Sequence, residues 1–200
     1  MSEPRIGRIL VASLHQSIQD LLPNRIEFYE NWLSSAGLRE GTIGLAPLSA
    51  VLSFLRLEGQ SYYEITTRAG EYAGDWTMAA LPPLERRIAS MLPPRWRART
   101  ALRVARGLIT ATYPGTRTVV TARQGTTTID IRGSLFCEVR ELASSPLCGF
   151  YASAVGRVFS TFGVPADVQV NACRALGTDR GCLLGLRLGP PSAAAEPETA

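Results

Sequence analysis

Four cysteines, which are all the cysteines of the chain, lie in its C-terminal third at Cys137, Cys148, Cys173 and Cys182. The surrounding pattern puts them on different elements. Cys148 falls in the first turn of a helix, Cys173 at the end of a strand and Cys182 at the start of the next strand. Soft ligands that come from separate elements and meet at one point are what a small metal site requires. The pattern therefore predicts a metal-stapled α/β module around which the remaining residues are built.

Zinc is the predicted ion, because it suits four-coordinate sites that are rich in thiolates. Cys148 would be the third helical residue if Ser145 is the N-cap and Pro146 opens the helix. Free amides and the helix dipole at that position favour a thiolate. The loop from Cys173 to Cys182 is short enough to bring both of its sulfurs to the same place.

The fourth ligand is left open by the sequence. Cys137 is the first candidate, and Glu138 and Asp179 are lesser ones. The alternative to a metal site is that all four are ordinary free cysteines, a residue type that is commonly buried. The sequence has no CxxC spacing and no histidine ligand that would support a metal site. The only histidine, His15, lies beside an apolar helical stripe and is interpreted as a structural or surface residue.

Composition bounds the class of protein. With 200 residues and 46% hydrophobic residues, the chain fits one globular domain with a real core. No apolar run approaches the roughly 20 residues of a membrane span, and the first ten residues carry no export signal. A cytoplasmic location is therefore predicted, where clustered thiols stay reduced and more often bind metal than form disulfides.

Every one of the 21 basic residues is arginine, which excludes chemistry that needs a lysine Schiff base. Seven of these arginines fall between Arg86 and Arg106. A solvated helix face is the simplest interpretation of this run, and a patch for nucleic acid or for an acidic partner is the alternative. The net charge of +4 is modest, so no nucleic-acid partner is expected.

Helical periodicity dominates residues 1–113. The proline pairs at 82–83 and 93–94 are predicted to end helices, because proline stops a helix and also suits the first turn of the next one. A capping box at Ser61 and Glu64 is predicted to begin the fourth helix.

From residue 116 onward the pattern becomes β-β-α-β-β. β-Branched residues flank a tight turn at Gln124-Gly125, an extended piece follows over Leu135–Val139, and apolar residues from Leu147 to Phe162 then follow helical spacing over four turns. Alternating residues predict two further strands, one leading to Cys173 and one starting at Cys182.

This order of elements predicts an α+β fold (α/β in the broad sense), in which a helical N-terminal half packs on an antiparallel sheet with one long helix against it. A single ligand-binding domain is expected over residues 1–188, with a helical part over 1–113 and the sheet plus long helix over 116–188. The composition of residues 189–200 predicts a disordered tail.

The string PLCGFYASAVGRVFSTFG from Pro146, followed by VQVNACRALGTDRGC up to Cys182, resembles the 4-vinyl reductase (hydrocarbon-binding) domain family. The resemblance covers roughly Arg132 to Leu188. That family includes ligand-sensing domains of transcription activators that respond to aromatic compounds and a stand-alone protein of bacteriochlorophyll synthesis. It shares its fold with vesicle-tethering subunits and haem-based nitric-oxide sensors.

The resemblance implies a metal pattern at Cys148, Cys173 and Cys182. Sensor members of the family have a glutamate three residues before the second cysteine, where this chain has Val170. Either Cys137 replaces that carboxylate as a ligand, or the site is weakened or empty.

The resemblance also implies an apolar pocket between the helical half and the sheet, with no specific ligand. Aromatic side chains are the candidates for its lining, because small-molecule pockets are mostly apolar with a few polar anchors. The candidate ligand-binding residues are Tyr62, Tyr63, Tyr72, Trp76, Phe150 and Tyr151. Plain core packing is the alternative for each of them.

No catalytic motif accompanies these features. The sequence contains no nucleophile elbow, no phosphate-binding glycine loop and no dinucleotide fingerprint after a strand. The leading hypothesis is a non-enzymatic protein that binds or senses a small hydrophobic or aromatic molecule and signals through a homodimer or a partner protein. The alternatives are an accessory carrier in tetrapyrrole (bacteriochlorophyll) biosynthesis and a scaffold or tethering protein without a ligand.

Overall fold

Seven α-helices and four β-strands make up the described part of the computed structural model, which comprises residues 6–33, 37, 43–123, 126–139, 141–178 and 181–189. The helices are α1 (Arg8–Leu21), α2 (Ile26–Glu30), α3 (Leu45–Leu57), α4 (Gln60–Ala80), α5 (Pro83–Met91), α6 (Pro94–Thr112) and α7 (Gly149–Thr161). The strands are β1 (Arg117–Arg123), β2 (Thr126–Arg132), β3 (Ala166–Ala172) and β4 (Cys182–Leu188). Helices come first and β-β-α-β-β follows, which confirms the predicted α+β class.

The proline pairs separate helices as the sequence predicts. Pro83 opens α5 and Pro94 opens α6, and the proline before each of them stands outside the helix. The prediction of a capping box at Ser61 was wrong, because α4 begins at Gln60 and no side chain caps it. Gly59 has a φ of +62°, a conformation that glycine adopts without strain, and it turns the chain so that the helix starts before Ser61.

The sheet has the strand order β1-β2-β4-β3, and every neighbouring pair is antiparallel. Ile129 and Ile131 of β2 and Leu184 and Leu186 of β4 are buried, so alternation places one face of these strands in the core. The predicted turn at Gln124-Gly125 lies outside the described residues, as do residues 190–200 of the predicted tail.

Helix α7 packs against β3, α4 and α6, so it lies between the sheet and the helical half. Its apolar residues follow the predicted spacing, and Phe150, Ala154, Val158 and Phe159 are all buried. Its predicted start was wrong: Ser145 is not the N-cap and Pro146 is not helical, because the helix begins at Gly149.

The loop before α7 is held open by contacts to other elements. The Ala143 amide donates to the Ala175 carbonyl at 2.8 Å, and the Tyr62 hydroxyl donates to the Leu147 carbonyl at 3.0 Å. These contacts bind the loop to the turn after β3 and to α4, which keeps it from winding into the helix.

Helices α4 and α7 meet along a line of small residues, which we call the glycine seam: Ala69, Gly70, Ala73 and Gly74 of α4, all of them buried. A Cβ atom at Gly70 would overlap the Phe150 carbonyl oxygen and the Ser153 hydroxyl. One at Gly74 would come within 2.8 Å of the Arg157 Cβ. The two backbones therefore approach at a distance that only glycine allows.

Candidate metal centre

The four cysteines reach one place from four separate segments. Cys137 ends a single 3₁₀ turn over Leu135–Cys137, Cys148 immediately precedes α7, Cys173 follows β3 and Cys182 opens β4. All four are buried, with 0–4% of each residue exposed. The extended piece predicted over Leu135–Val139 was wrong, and the turn that replaces it is what places Cys137 beside the others.

The sulfur atoms form a compact group. Cys137 Sγ lies 2.9 Å from Cys148 Sγ, 3.3 Å from Cys173 Sγ and 2.9 Å from Cys182 Sγ. Cys148 and Cys182 lie 3.2 and 4.0 Å from the Cys173 sulfur, and all four sulfurs fall within 4.8 Å of one another. Four thiolates bound to zinc at about 2.3 Å stand about 3.8 Å apart at the corners of a tetrahedron. The observed separations bracket that value.

These cysteines are not joined by disulfide bonds. All four are free, and their closest sulfur pairs at 2.9 Å are well beyond the bond length of about 2.05 Å. The fit with a metal ion is therefore one of donor chemistry and position: four soft ligands, one from each segment, arranged around a common centre.

In the absence of a metal ion the four thiols share their protons unequally. Hydrogen bonds with Cys137, Cys148 and Cys182 lower the pKa of Cys173, and hydrogen bonds with Cys137 and Cys148 lower the pKa of Cys182. Hydrogen bonds to its three neighbours and burial raise the pKa of Cys148, which holds its proton. Several anionic sulfurs this close together repel one another unless a cation is present, so a divalent ion is needed to ionise the whole set.

The surroundings of the sulfurs supply positive charge and a polar anchor. An Arg56 amino group donates to the Phe136 carbonyl at 3.0 Å, directly before Cys137 in the chain. The Nε atom of Arg56 is buried and has no hydrogen-bond partner. Desolvation by burial raises the pKa of Tyr62, and the charge of Arg56 opposes that rise in part. A guanidinium here offsets the negative charge of a tetrathiolate.

The structure brings all four predicted cysteines together, so Cys137 lies beside the other three candidate ligands. Glu138, a lesser candidate, is exposed, and Asp179 lies outside the described residues. His15 lies far from the cysteines in the sequence. Its Nε2 atom lies 3.0 Å from a Glu30 carboxylate oxygen, so its partner is a carboxylate and not a sulfur.

The six predicted aromatic residues do not gather in one place. Tyr62, Phe150 and Tyr151 are buried, and the rings of Phe150 and Tyr151 both contact Phe136, beside the sulfurs. Tyr72 and Trp76 stack on each other on α4, where Trp76 is 36% exposed. Tyr63 is half-buried. Their role as ligand contacts stays a prediction.

Two open clefts flank the four cysteines. The first, which we call the sheet cleft, has a volume of about 980 Å³ and is lined by outward-facing residues of β1 and β2 together with Cys137 and Cys182. The second, which we call the loop cleft, has a volume of about 1110 Å³. Its lining includes Arg56, Leu57, Tyr63, Val139, Leu142 and Leu147, together with Cys137. Cys137 and Arg174 therefore line both clefts.

Sequence analysis missed Arg56 and the glycine seam. Arg56 carries no local signal, because its partner Phe136 lies 80 positions away in the chain. Gly70 and Gly74 were visible as a pair of small residues four apart, a spacing that allows close helix contact. The seam lies between α4 and α7, in the region where an apolar pocket between the helical half and the sheet was expected.

No family model matches the chain, and no curated protein matches it. Among solved structures it is similar to the phenol-responsive sensory domain of the transcription activator PoxR with phenol, at 14% identity and a TM-score of 0.48, over 72% of this chain and 74% of that one. It is also similar to a trafficking protein particle complex subunit 3 from Naegleria fowleri covalently bound to palmitic acid, at 16% identity and a TM-score of 0.43, over 81% of this chain and 93% of that one. Likenesses of this size carry no ligand, activity or family over to this chain.

Proposed function

We propose that the protein holds one zinc ion in a structural tetrathiolate site and, on the platform so fixed, binds a small hydrophobic or aromatic molecule without transforming it. The observation that carries the proposal is the convergence of the sulfurs of Cys137, Cys148, Cys173 and Cys182 within 4.8 Å. Cys137 then replaces the carboxylate that sensor members of the 4-vinyl reductase family supply.

A structural role for the ion follows from the ligand set. Catalytic zinc keeps one coordination position for water or substrate, whereas structural zinc is closed by four protein ligands. Here four buried cysteines fill all four positions. The ion would join the loop before α7, the end of β3 and the start of β4, which no disulfide connects.

The loop cleft supports the binding of a small molecule. Leu57 and Leu142 are 83% and 72% exposed, although both line this cleft, and the half-buried Tyr63 ring lies with them. A ligand with an apolar body would remove these aliphatic side chains from water, which is favourable at roughly 25 cal/mol per Å². Of the six predicted aromatic residues, Tyr63 is the one that lines this cleft. The homodimer or partner protein that would receive the signal belongs to the same hypothesis.

Metal content tests the zinc site directly. The purified chain is expected to contain one zinc ion per molecule by elemental analysis, and Cys148→Ser is expected to lose it. Ser134→Ala is the matched control, because Ser134 contacts Cys137 at 3.6 Å and offers no thiolate. A purified protein that holds no zinc and cannot be loaded with it would contradict the site.

Ligand binding is tested with one aromatic probe and one aliphatic probe, phenol and palmitic acid. A thermal-shift titration is expected to raise the melting temperature, with stabilisation that grows as the logarithm of probe concentration once the probe exceeds its Kd. Leu57→Ser/Leu142→Ser is expected to abolish the shift, whereas Leu188→Ser, which changes an exposed leucine that does not line the cleft, leaves it intact. A pigment that co-purifies with the protein would favour the tetrapyrrole carrier instead.

A further inference from the structure

The positive charge of the chain is concentrated in α5 and α6. Residues 83–112 contain seven arginines and one acidic residue, Glu85, which gives a net charge of +6. The whole chain has a net charge of +4, so the other 170 residues together carry −2. This surface is therefore the basic pole of the molecule.

The arginines of α6 form a stripe on its solvent face, which we call the arginine stripe: Arg95, Arg99, Arg103 and Arg106, all exposed. The opposite face of the same helix is buried through Ala98, Ala101 and Ala105. No carboxylate of the described residues lies within ion-pair distance of the stripe. Its charge is therefore available to an external anion.

Helix α5 presents its apolar side to solvent. Leu84 and Met91 are seven residues apart, so they share one face, and they are 69% and 80% exposed. Ala89, which points away from that face, is buried. Trp96, 46% exposed, follows in the first turn of α6, with the Arg99 guanidinium 5.1 Å from its ring centre.

We propose that this outer face of α5 and α6 docks on the surface of an anionic lipid bilayer. A helix that lies in a membrane interface needs an apolar face with leucine or tryptophan and a basic polar face, and both are present here. Leu84, Met91 and Trp96 would enter the headgroup region while the arginine stripe meets the lipid phosphates. The proposal does not depend on zinc or on a ligand in the loop cleft.

Two other occupants fit this surface less well. A nucleic acid would use the arginines and stack on Trp96, but it would leave Leu84 and Met91 in water without a role. A second copy of this chain would place two surfaces of charge +6 against each other, which is unfavourable. A lipid surface uses both the charge and the aliphatic side chains. None of the helices among the described residues can cross a bilayer, so the contact is peripheral.

Vesicle flotation with the full chain tests the proposal. The protein is expected to float with vesicles of equimolar phosphatidylcholine and phosphatidylserine, to stay behind with phosphatidylcholine alone, and to be released by salt. Arg99→Gln/Arg103→Gln should weaken partitioning about 25-fold, at about fivefold for each arginine. Leu84→Ser/Met91→Ser should weaken it at least about tenfold.

Matched variants at other exposed positions serve as controls. Arg123→Gln/Arg187→Gln on the sheet and Leu57→Ser on α3 remove the same chemistry elsewhere and should leave flotation unchanged. In a Trp32→Phe/Trp76→Phe background, Trp96 is the only tryptophan, and its emission should shift to the blue with anionic vesicles. All substituted residues are partly or fully exposed, so folding is expected to survive, which circular dichroism checks.

Several outcomes would overturn the proposal. These are equal flotation with both kinds of vesicle, no flotation at all, or full flotation of Leu84→Ser/Met91→Ser. Binding of single-stranded DNA that the arginine variants lose, without any vesicle binding, would assign the surface to nucleic acid. Capture of an acidic protein by the same arginines, again without vesicle binding, would assign it to a protein partner.

Discussion

The cysteine centre and the glycine seam lie on opposite sides of Phe150 and are held together in opposite ways. The ring of Phe150 stacks on Phe136, next to Cys137, while its backbone carbonyl abuts Gly70 of α4. At the centre, four side chains from distant segments converge, and a single ion can join them. At the seam, the backbones of two helices come into contact because glycine has no side chain. With an ion bound, the first region would depend on a few strong bonds, whereas the second depends on the fit of many weak contacts.

Removal of zinc is expected to have the largest effect and to damage the centre first. Structural zinc in small peptides contributes apparent binding energies of about 10–16 kcal/mol, which exceeds or equals the net stability of a typical domain. A strong chelator or Cys173→Ser should therefore unfold the sheet half or lower the melting temperature sharply, as followed by circular dichroism. Cys173→Ser should show no further response to the chelator. An unchanged melting temperature after the metal is stripped would contradict the proposed centre.

Gly70→Ala tests the other side of the comparison. The new Cβ would overlap the Phe150 carbonyl oxygen, which is backbone and cannot rotate away, so we expect a loss of about 3 kcal/mol in the free energy of unfolding. Denaturant titration measures this loss. Gly107→Ala on α6 is the matched control, since its Cβ meets nothing within 4 Å, and it should gain about 0.5–1 kcal/mol from helix propensity. Equal effects at the two glycines would mean that the seam is not close-packed.

The contrast between the two regions also explains what the sequence could predict. Cysteines carry their chemistry with them, so placing the ends of β3, β4 and the long helix was enough to predict that Cys148, Cys173 and Cys182 meet. The sequence could not show that Ser145 does not cap the helix. The contact that holds the Leu147 carbonyl comes from Tyr62, 85 positions away in the chain. Gly70 acquires its meaning only from Phe150 on another helix. Local pattern predicts elements, whereas the contacts between elements are not local.

Alkaline pH is expected to weaken the helical side, where Tyr29 is buried. Burial, and then the nearby Glu58, raise the pKa of Tyr29 to about 12. A folded pKa above the unfolded value of about 10 means that stability from the neutral phenol is full below pH 10 and is lost as pH rises towards 12. Tyrosinate absorbance follows all six tyrosines of the chain, so the difference between the wild-type chain and Tyr29→Phe isolates the ionisation of Tyr29.

Tyr29→Phe is the check on that prediction. It should remove about 1 kcal/mol of the alkaline loss, because Tyr29 no longer has to ionise. Its stability at neutral pH should fall slightly, since the hydroxyl bond to Glu58 at 3.2 Å is lost. If stability instead rises between pH 10 and 12, the phenol is not held in its neutral form by the fold.

Two buried tyrosines near the cysteine centre allow a comparison within one region. The Tyr62 hydroxyl donates to the Leu147 carbonyl at 3.0 Å, whereas the Tyr151 hydroxyl is buried and makes no well-formed hydrogen bond among the described residues, although the Thr112 and Ser134 hydroxyls partly offset the rise that burial causes in its pKa. Tyr62→Phe should cost about 1–2 kcal/mol in the free energy of unfolding, because it leaves a buried carbonyl unpaired, while Tyr151→Phe should cost nothing or stabilise slightly. Chemical denaturation of the zinc-loaded variants distinguishes the two. A larger loss in the free energy of unfolding for Tyr151→Phe would show that the Tyr151 hydroxyl anchors the cysteine centre. The loop before α7 would then depend on the metal more than on Tyr62.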